Sequence, residues 1–300
     1  MEHKTGVVAI HGSDCRWQDP DAVKAAPFIE GLRKGSYHRP DAILSLDCGP
    51  VANFPAIADD VRQLVRTFRG VNAMEGKLSY VQPEGEYIVH SLLTVGGCTQ
   101  DMVSAWSKEL KDNNGIPKRF HQAKQFPHLA AFIAQFPEAM NFTIKTFNGP
   151  SSIAPHEERI FHEANGRKYA RIRLHLPITT LPNARVIVKD RSFKYLPGTI
   201  YYLNNSEVHY AVSLDEGQRI HLIWDCVLTD RLWNDVLRVA KPMAGVPVPK
   251  RRRYYFNTFP GKLPQWTQPW LWNNVLRWLQ YHAGRDTNVS VWTVKEAREL

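Results

Sequence analysis

The chain has 300 residues, 43% of them hydrophobic, and a formal net charge of +9. That is enough apolar content to bury a sizeable core, as one enlarged domain or as a core with lobes. It contains no run of about 18–20 uncharged apolar residues, so no membrane span is expected. Cys15, Cys48, Cys98 and Cys226 lack C-x-x-C spacing, which points to reduced thiols rather than a disulfide framework or a zinc cluster.

Met1-Glu-His-Lys-Thr5 has neither a basic head nor a long apolar stretch, so no secretory signal is expected and a cytoplasmic protein is predicted. Residues 1–40 mix loop signals with a short apolar stretch at Val7–Ile10. From Ala56 to Phe68, the spacing of Ile57, Val61, Leu64, Val65 and Phe68 predicts a helix. Tyr80 and the run Tyr87–Val95 read as strands around a turn at Pro83–Gly85. Asp101–Lys111 and Pro127–Phe136 read as helices. Short strands follow at 141–147, 169–177, 184–189, 199–203 and 219–227, punctuated by turn residues at Pro182-Asn183, Pro197-Gly198 and Asn204-Asn205.

Between the first two of these strands stands His156-Glu157-Glu158. Taken alone, after Pro155 and before Arg159, it reads as a solvated turn. In an extended segment, however, His156 and Glu158 share a face, because side chains repeat every second residue. With His209 supplied from further along, two imidazoles and one carboxylate can occupy one side of a metal. That arrangement suits a non-haem Fe(II) oxygenase, since the opposite coordination positions stay open.

The strands around these residues support a shared cavity. In Tyr169–Pro177, Ala170, Ile172, Leu174 and Leu176 form one face, while Tyr169, Arg171, Arg173 and His175 form the other. In Arg219–Asp225, Ile220, Leu222 and Trp224 oppose Arg219, His221 and Asp225. One such strand is a wet edge. Two, each carrying Arg and His on its polar face, point to an aqueous pocket inside a β-sandwich or barrel. Arg219 is placed to clamp the carboxylate of an organic acid chelating the metal.

Beyond the strands, a Pro-rich connector (Pro242–Pro249) leads to the basic run Lys250–Arg253. No recognisable nucleic-acid module accompanies that run, so it reads as a solvated loop and no specific nucleic-acid partner is expected. Trp266, Trp270, Leu271, Val275, Leu276, Trp278 and Leu279 then crowd one amphipathic stretch. It is expected to pack on the core or on a second subunit, which would make a homodimer.

The pieces Phe142-Thr-Ile144, Ala154-Pro-His-Glu-Glu158, Ala170–Leu176, Leu196–Leu203, Glu207-Val-His209 and Gln218–Asp225 fit as an ordered set. As a set they resemble the aspartyl/asparaginyl β-hydroxylase family, with a likeness to its bacterial cis-proline hydroxylases. The likeness runs from about residue 141 to about residue 228. The segments before about residue 130 and after about residue 230 show no motif of the family.

The resemblance implies a mainly β fold with flanking helices around a double-stranded β-helix (jelly-roll, cupin-like) core. It also implies Fe(II) as metal, with 2-oxoglutarate and O2 as co-substrates. Residue by residue, it makes His156 and His209 iron ligands, and sets Glu158 where the proline hydroxylases have an aspartate. Arg219 becomes the cation for the distal carboxylate of 2-oxoglutarate, with Thr143 touching the same group. His175 lies near the chelating end, and Arg173, with Arg171 beside it, meets a substrate carboxylate. The halogenating relatives differ, because they place a small residue where Glu158 stands.

The expected organisation is an N-terminal α/β extension (1–130), a catalytic core (131–230) and a basic, Trp-rich helical extension (231–300). The expected activity is hydroxylation of an unactivated C–H of an amino acid, free or peptide-bound, with release of succinate and CO2. An acidic peptide or another carboxylate-bearing small molecule would satisfy the same arginines. Two rivals are a non-catalytic β-helix domain binding a small acid or peptide, and a zinc hydrolase built on the same ligands.

Overall fold

A computed structural model describes residues 43–72, 81–83, 85–106, 116–153, 161–164, 167–205, 207 and 209–248. The expectations for Val7–Ile10, for His156 and Glu158, and for the basic run and Trp-rich stretch after residue 248 therefore lie outside the described residues.

The chain enters through strand β1 (Ser45–Pro50) and helix α1 (Phe54–Thr67), then the short strands β2 (Val71–Asn72) and β3 (Val81–Pro83). Strand β4 (Glu86–Ser91) is followed by β5 (Leu93–Thr94), helix α2 (Met102–Trp106), β6 (Arg119–Phe120) and helix α3 (Pro127–Ile133). The core strands are β7 (Ala139–Asn148), β8 (Ser151–Ile153), β9 (Phe161–Ala164), β10 (Arg167–Thr179), β11 (Arg185–Val188), β12 (Arg191–Phe193), β13 (Thr199–Leu203), β14 (His209–Ser213) and β15 (Gln218–Val227). A helical turn, α4 (Asp230–Leu232), runs into a wider π turn at Trp233–Leu237, before the edge strands β16 (Lys241–Pro242) and β17 (Val246–Pro247).

Two antiparallel sheets face each other. The larger has the order β16-β1-β13-β10-β15-β7-β4-β2, and the smaller β17-β12-β11-β14-β8-β3. From β7 onward the chain passes between them repeatedly: β7 large, β8 small, β10 large, β11 and β12 small, β13 large, β14 small, β15 large. This winding is the jelly-roll, or double-stranded β-helix, that the sequence led us to expect. The segment before residue 130 contributes β1, β2 and β4 to the flanks of the large sheet and β3 to the small one.

The large sheet is apolar on its outer face because the even-numbered residues in the middle of β10 and β15 are Ile172, Leu174, Leu176, Ile220, Leu222 and Trp224, all fully buried. Helices α1 and α3 cover them. Ile57, Val61 and Leu64 of α1 and Leu129, Phe132 and Ile133 of α3 belong to the same core cluster. Trp224 stacks on Phe142 with ring centroids 5.0 Å apart, and the edge of Phe132 meets it at 5.5 Å. Asp60 of α1 ties the helices together: its carboxylate accepts from the His128 and Leu129 amides at 2.8 and 2.9 Å, serving as the cap that α3 lacks in its own sequence.

The two inner faces meet through Val186, Val188 and Phe193 from the small sheet and Tyr201 and Leu203 from the large one, with Tyr195 of the β12–β13 connection between them. Asn53 and Lys189 are the described non-glycine residues with positive φ, at 56° and 55°. Among the described residues, no helix is long and apolar enough to cross a membrane.

Candidate active site

In an antiparallel sheet, residues directly opposite one another share a face, so the pairing of the large sheet lays out its inner surface in rows. Arg173 stands opposite Asp225, and Asp225 opposite Asn141; His175 is aligned with Ile223 and Thr143; Pro177 with His221 and Lys145. Arg219 pairs with Phe147, and Phe147 with Tyr87 of β4. The small sheet brings His209 opposite Val188 and Ala211 opposite Val186. Between the faces lies a cavity of about 460 Å³, counted to its open mouth, lined among others by Tyr87, Lys145, Arg173, His175, His209 and Arg219.

Arg219 is buried with no carboxylate paired to it among the described residues. Its Nη2 donates to His221 Nδ1 at 3.1 Å, and its Cζ lies 4.9 Å from the centroid of the Phe147 ring. Burial pushes its pKa down to about 10 against the opposing influence of Tyr87 and Tyr195. Accepting from Arg219 leaves the His221 proton on Nε2, and that buried atom has no hydrogen-bond partner among the described residues. Both ring nitrogens of buried His175 are likewise without one. Burial and the neighbouring cations Arg173, Lys145 and Arg219 hold His175 well below the usual histidine pKa, so it is neutral. Burial and Arg219 do the same to His221.

His209 opens β14, and its Nδ1 lies 2.9 Å from the Glu207 carbonyl. That bond places the ring proton on Nδ1 and leaves the lone pair on Nε2, the form that binds a metal. No group of three or more His, Cys, Asp or Glu side chains converges among the described residues, and the other two expected ligands, His156 and Glu158, lie outside them.

Arg171 and Arg173 are both held by Asp225. Arg173 grips it with Nε and Nη2 at 2.8 and 3.0 Å, and Arg171 Nη1 reaches the second oxygen at 2.8 Å. Asn141 completes the cluster, donating to Asp225 at 3.1 Å and accepting from its backbone amide at 3.0 Å. Arg173 lines the cavity while bound in this way. Thr143 donates its hydroxyl to the Ile223 carbonyl at 3.1 Å and lines a smaller adjoining cavity of about 240 Å³. The structure therefore does not bring Thr143 beside Arg219. On β7, Lys145 lines both cavities instead.

Sequence reasoning passed over Lys145, Tyr87 and the pairing role of Asp225. The run Asn141, Thr143, Lys145, Phe147 alternates with Phe142, Ile144 and Thr146, so the same period-two reading applied to β7 finds Lys145. For Tyr87 no such signal exists, since its place depends on β4 joining the sheet beside β7.

A family model described as Aspartyl/Asparaginyl beta-hydroxylase matches residues 52–228. It begins well before the motifs near residue 141 and takes in α1 and β4. No curated protein matches the chain. Among solved structures, an oxidoreductase of the 2OG-Fe(II) oxygenase family from Burkholderia pseudomallei is 9% identical, with a TM-score of 0.39 over 69% of this chain and 94% of that one. A prolyl-4-hydroxylase from Pseudomonas putida is 12% identical, with a TM-score of 0.29 over 60% and 92%. HygX from Streptomyces hygroscopicus, solved with nickel and 2-oxoglutarate bound, is 9% identical, with a TM-score of 0.34 over 58% and 79%.

Proposed function

Because the chain belongs to the aspartyl/asparaginyl β-hydroxylase family, we propose that its inter-sheet cavity holds Fe(II) and 2-oxoglutarate and serves to hydroxylate an unactivated C–H of an amino acid, free or peptide-bound. The enzyme is a 2-oxoglutarate-dependent oxygenase using Fe(II), 2-oxoglutarate and O2. The observation that carries the site assignment is Arg219. A buried guanidinium without a carboxylate partner among the described residues is costly unless an anionic ligand completes it. The polar atoms around it fit 2-oxoglutarate: a fixed cation for its distal carboxylate, and unpartnered imidazole nitrogens on His175 and His221 for its remaining oxygens.

The assembled group supplies the oxidising power for C–H hydroxylation, with succinate and CO2 as by-products. The chain's own residues bind and orient. Arg219, held by His221 and backed by Phe147, clamps the co-substrate tail with charge-assisted bonds. His209 would hold the metal through Nε2, and the family resemblance makes His156 and Glu158 the other two protein ligands. His175, kept neutral, donates or accepts without adding charge beside the metal. Tyr87 and Ile223 help to wall the cavity against water.

The substrate reading rests on charge. Arg173 lines the cavity with Arg171 beside it on the same strand face, and fixed guanidinium groups there favour a substrate presenting a carboxylate. A free amino acid ranks first, then a peptide residue, then another acidic metabolite. Residues 131–230 form the catalytic core in this reading, with 1–130 and 231–300 as extensions around it. The test is conversion of 2-oxoglutarate to succinate by the metal-free protein with and without added Fe(II), followed by mass spectrometry of a metabolite pool under ¹⁸O2. Fe(II)-dependent succinate and ¹⁸O in one product are expected. Absence of succinate with Fe(II) rules the reading out.

A further inference from the structure

A line of contacts outside the cavity ends on His209. Lys189 is the first of the two residues between β11 and β12, and its φ is 55°. That left-handed conformation favours glycine or asparagine over a long side chain, and a residue kept there marks surroundings that over-determine it. Lys189 Nζ lies 3.2 Å from Glu207 Oε1, an ion pair without hydrogen-bond geometry at that oxygen, and the Glu207 side chain is only 3% exposed. The carbonyl of Glu207 receives the Nδ1 proton of His209. Val188, next to Lys189, is the strand partner of His209. One turn thus carries both the backbone neighbour of His209 and the cation that holds the residue bonded to its ring. A tight turn by itself would be better served by asparagine or glycine, so what lysine adds is its amine.

We propose that Lys189 and Glu207 form a latch that positions His209 for the metal. Lys189 anchors the buried carboxylate, and the anchored residue presents its carbonyl to Nδ1. Nε2 is thereby kept as the lone-pair atom and aimed. Neither residue touches metal or substrate, so both are positioning residues; partners of this kind typically contribute about 10–100-fold to metal affinity. The inference rests on reading His209 as a metal ligand.

The experiment titrates Co(II), a redox-stable stand-in for Fe(II), into the metal-free parent, Lys189→Asn, Glu207→Gln, the double variant, Lys189→Arg and His209→Ala. The Tm of each metal-free form is recorded alongside. Asparagine suits the left-handed turn, so Lys189→Asn relaxes the backbone while deleting the amine. The latch predicts at least about tenfold weaker Co(II) binding in each single variant, with no further loss in the double variant. It also predicts recovery in Lys189→Arg, and weaker binding in Glu207→Gln at a parent-like Tm, since the neutral amide needs no cation. Parent-like Co(II) affinity in Lys189→Asn, while His209→Ala loses the metal, overturns the latch. Parent-like Co(II) affinity in Glu207→Gln also overturns it, since a pair that merely holds the fold behaves that way. Undiminished Co(II) binding by His209→Ala instead removes the ligand assignment, and the latch with it.

Discussion

Burying Arg219 opposite a phenyl ring and a neutral histidine takes a charge out of water with no carboxylate to offset it among the described residues. In the metal-free protein that arrangement costs stability, and binding of a dianionic co-substrate recovers it through charge-assisted contacts of roughly 1.5–3 kcal/mol each. Arg219→Met should therefore leave the metal-free protein at least as stable by urea unfolding. Its 2-oxoglutarate requirement should rise at least about tenfold, the equivalent of 1.4 kcal/mol. Loss of metal with unchanged co-substrate dependence would show that Arg219 supports the structure of the metal site and does not bind the co-substrate. Asp225 is the opposite case. Asp225→Ala removes the buried carboxylate that Arg171 and Arg173 share and should cost about 3–5 kcal/mol, measured by the same unfolding curves; a cost below 1 kcal/mol would mean that the cluster does not depend on that carboxylate. Arg219 and His175 were legible from strand alternation alone. The Asp225 cluster was not, because a period-two pattern says which face a side chain is on and nothing about which neighbour it grips.

At the scale of elements, the strands carrying the strictest alternation, β10 and β15, lie where their patterns predicted, each extended by a residue or more. β14 escaped notice: His209–Ser213 is only five residues long and buried throughout, with Tyr210 and Val212 in an apolar cluster of their own, so its alternation is too short to stand out. β1 escaped for a different reason, since Ser45–Pro50 ends in Gly49-Pro50 and reads locally as a turn; pairing with β13 makes it a strand. Helices α1 and α3 were legible from apolar spacing, and the structure adds what they cover. Phe132 touches Phe136, Phe142 and Trp224 at centroid distances of 5.4–6.4 Å. Phe132→Ala should cost about 3–5 kcal/mol while leaving the 2-oxoglutarate requirement of the folded enzyme unchanged. A shifted requirement would show that the helix layer reaches the cavity.

For the whole molecule, acid is the expected weak side. Burial keeps His90, His175 and His221 below their usual pKa of 6.5. Above pH 6.5 each is neutral whether folded or not, so none costs anything. As pH falls below 6.5 the unfolded chain takes up protons that the folded chain refuses, and each site removes up to about 1.4 kcal/mol per pH unit. Urea unfolding of the metal-free protein at pH 7, 6 and 5 should show stability falling steeply over the last step, and a flat profile would mean that these imidazoles are wet.

The central strands of the large sheet have no solvent side: odd positions line the cavity, and even positions pack under the helices. Two texts are thus interleaved in one strand, one read by the fold and one by the chemistry, and they cross only where an inner-face pair such as Arg173 and Asp225 also holds the structure. Replacing His175 or Ile223 edits what the cavity accepts while Leu174, Leu176 and Trp224 keep the scaffold standing. A single-residue insertion or deletion has no such freedom, because it exchanges the two texts wholesale. Diversification along these strands is therefore expected to proceed by substitution, with length changes confined to the loops between them.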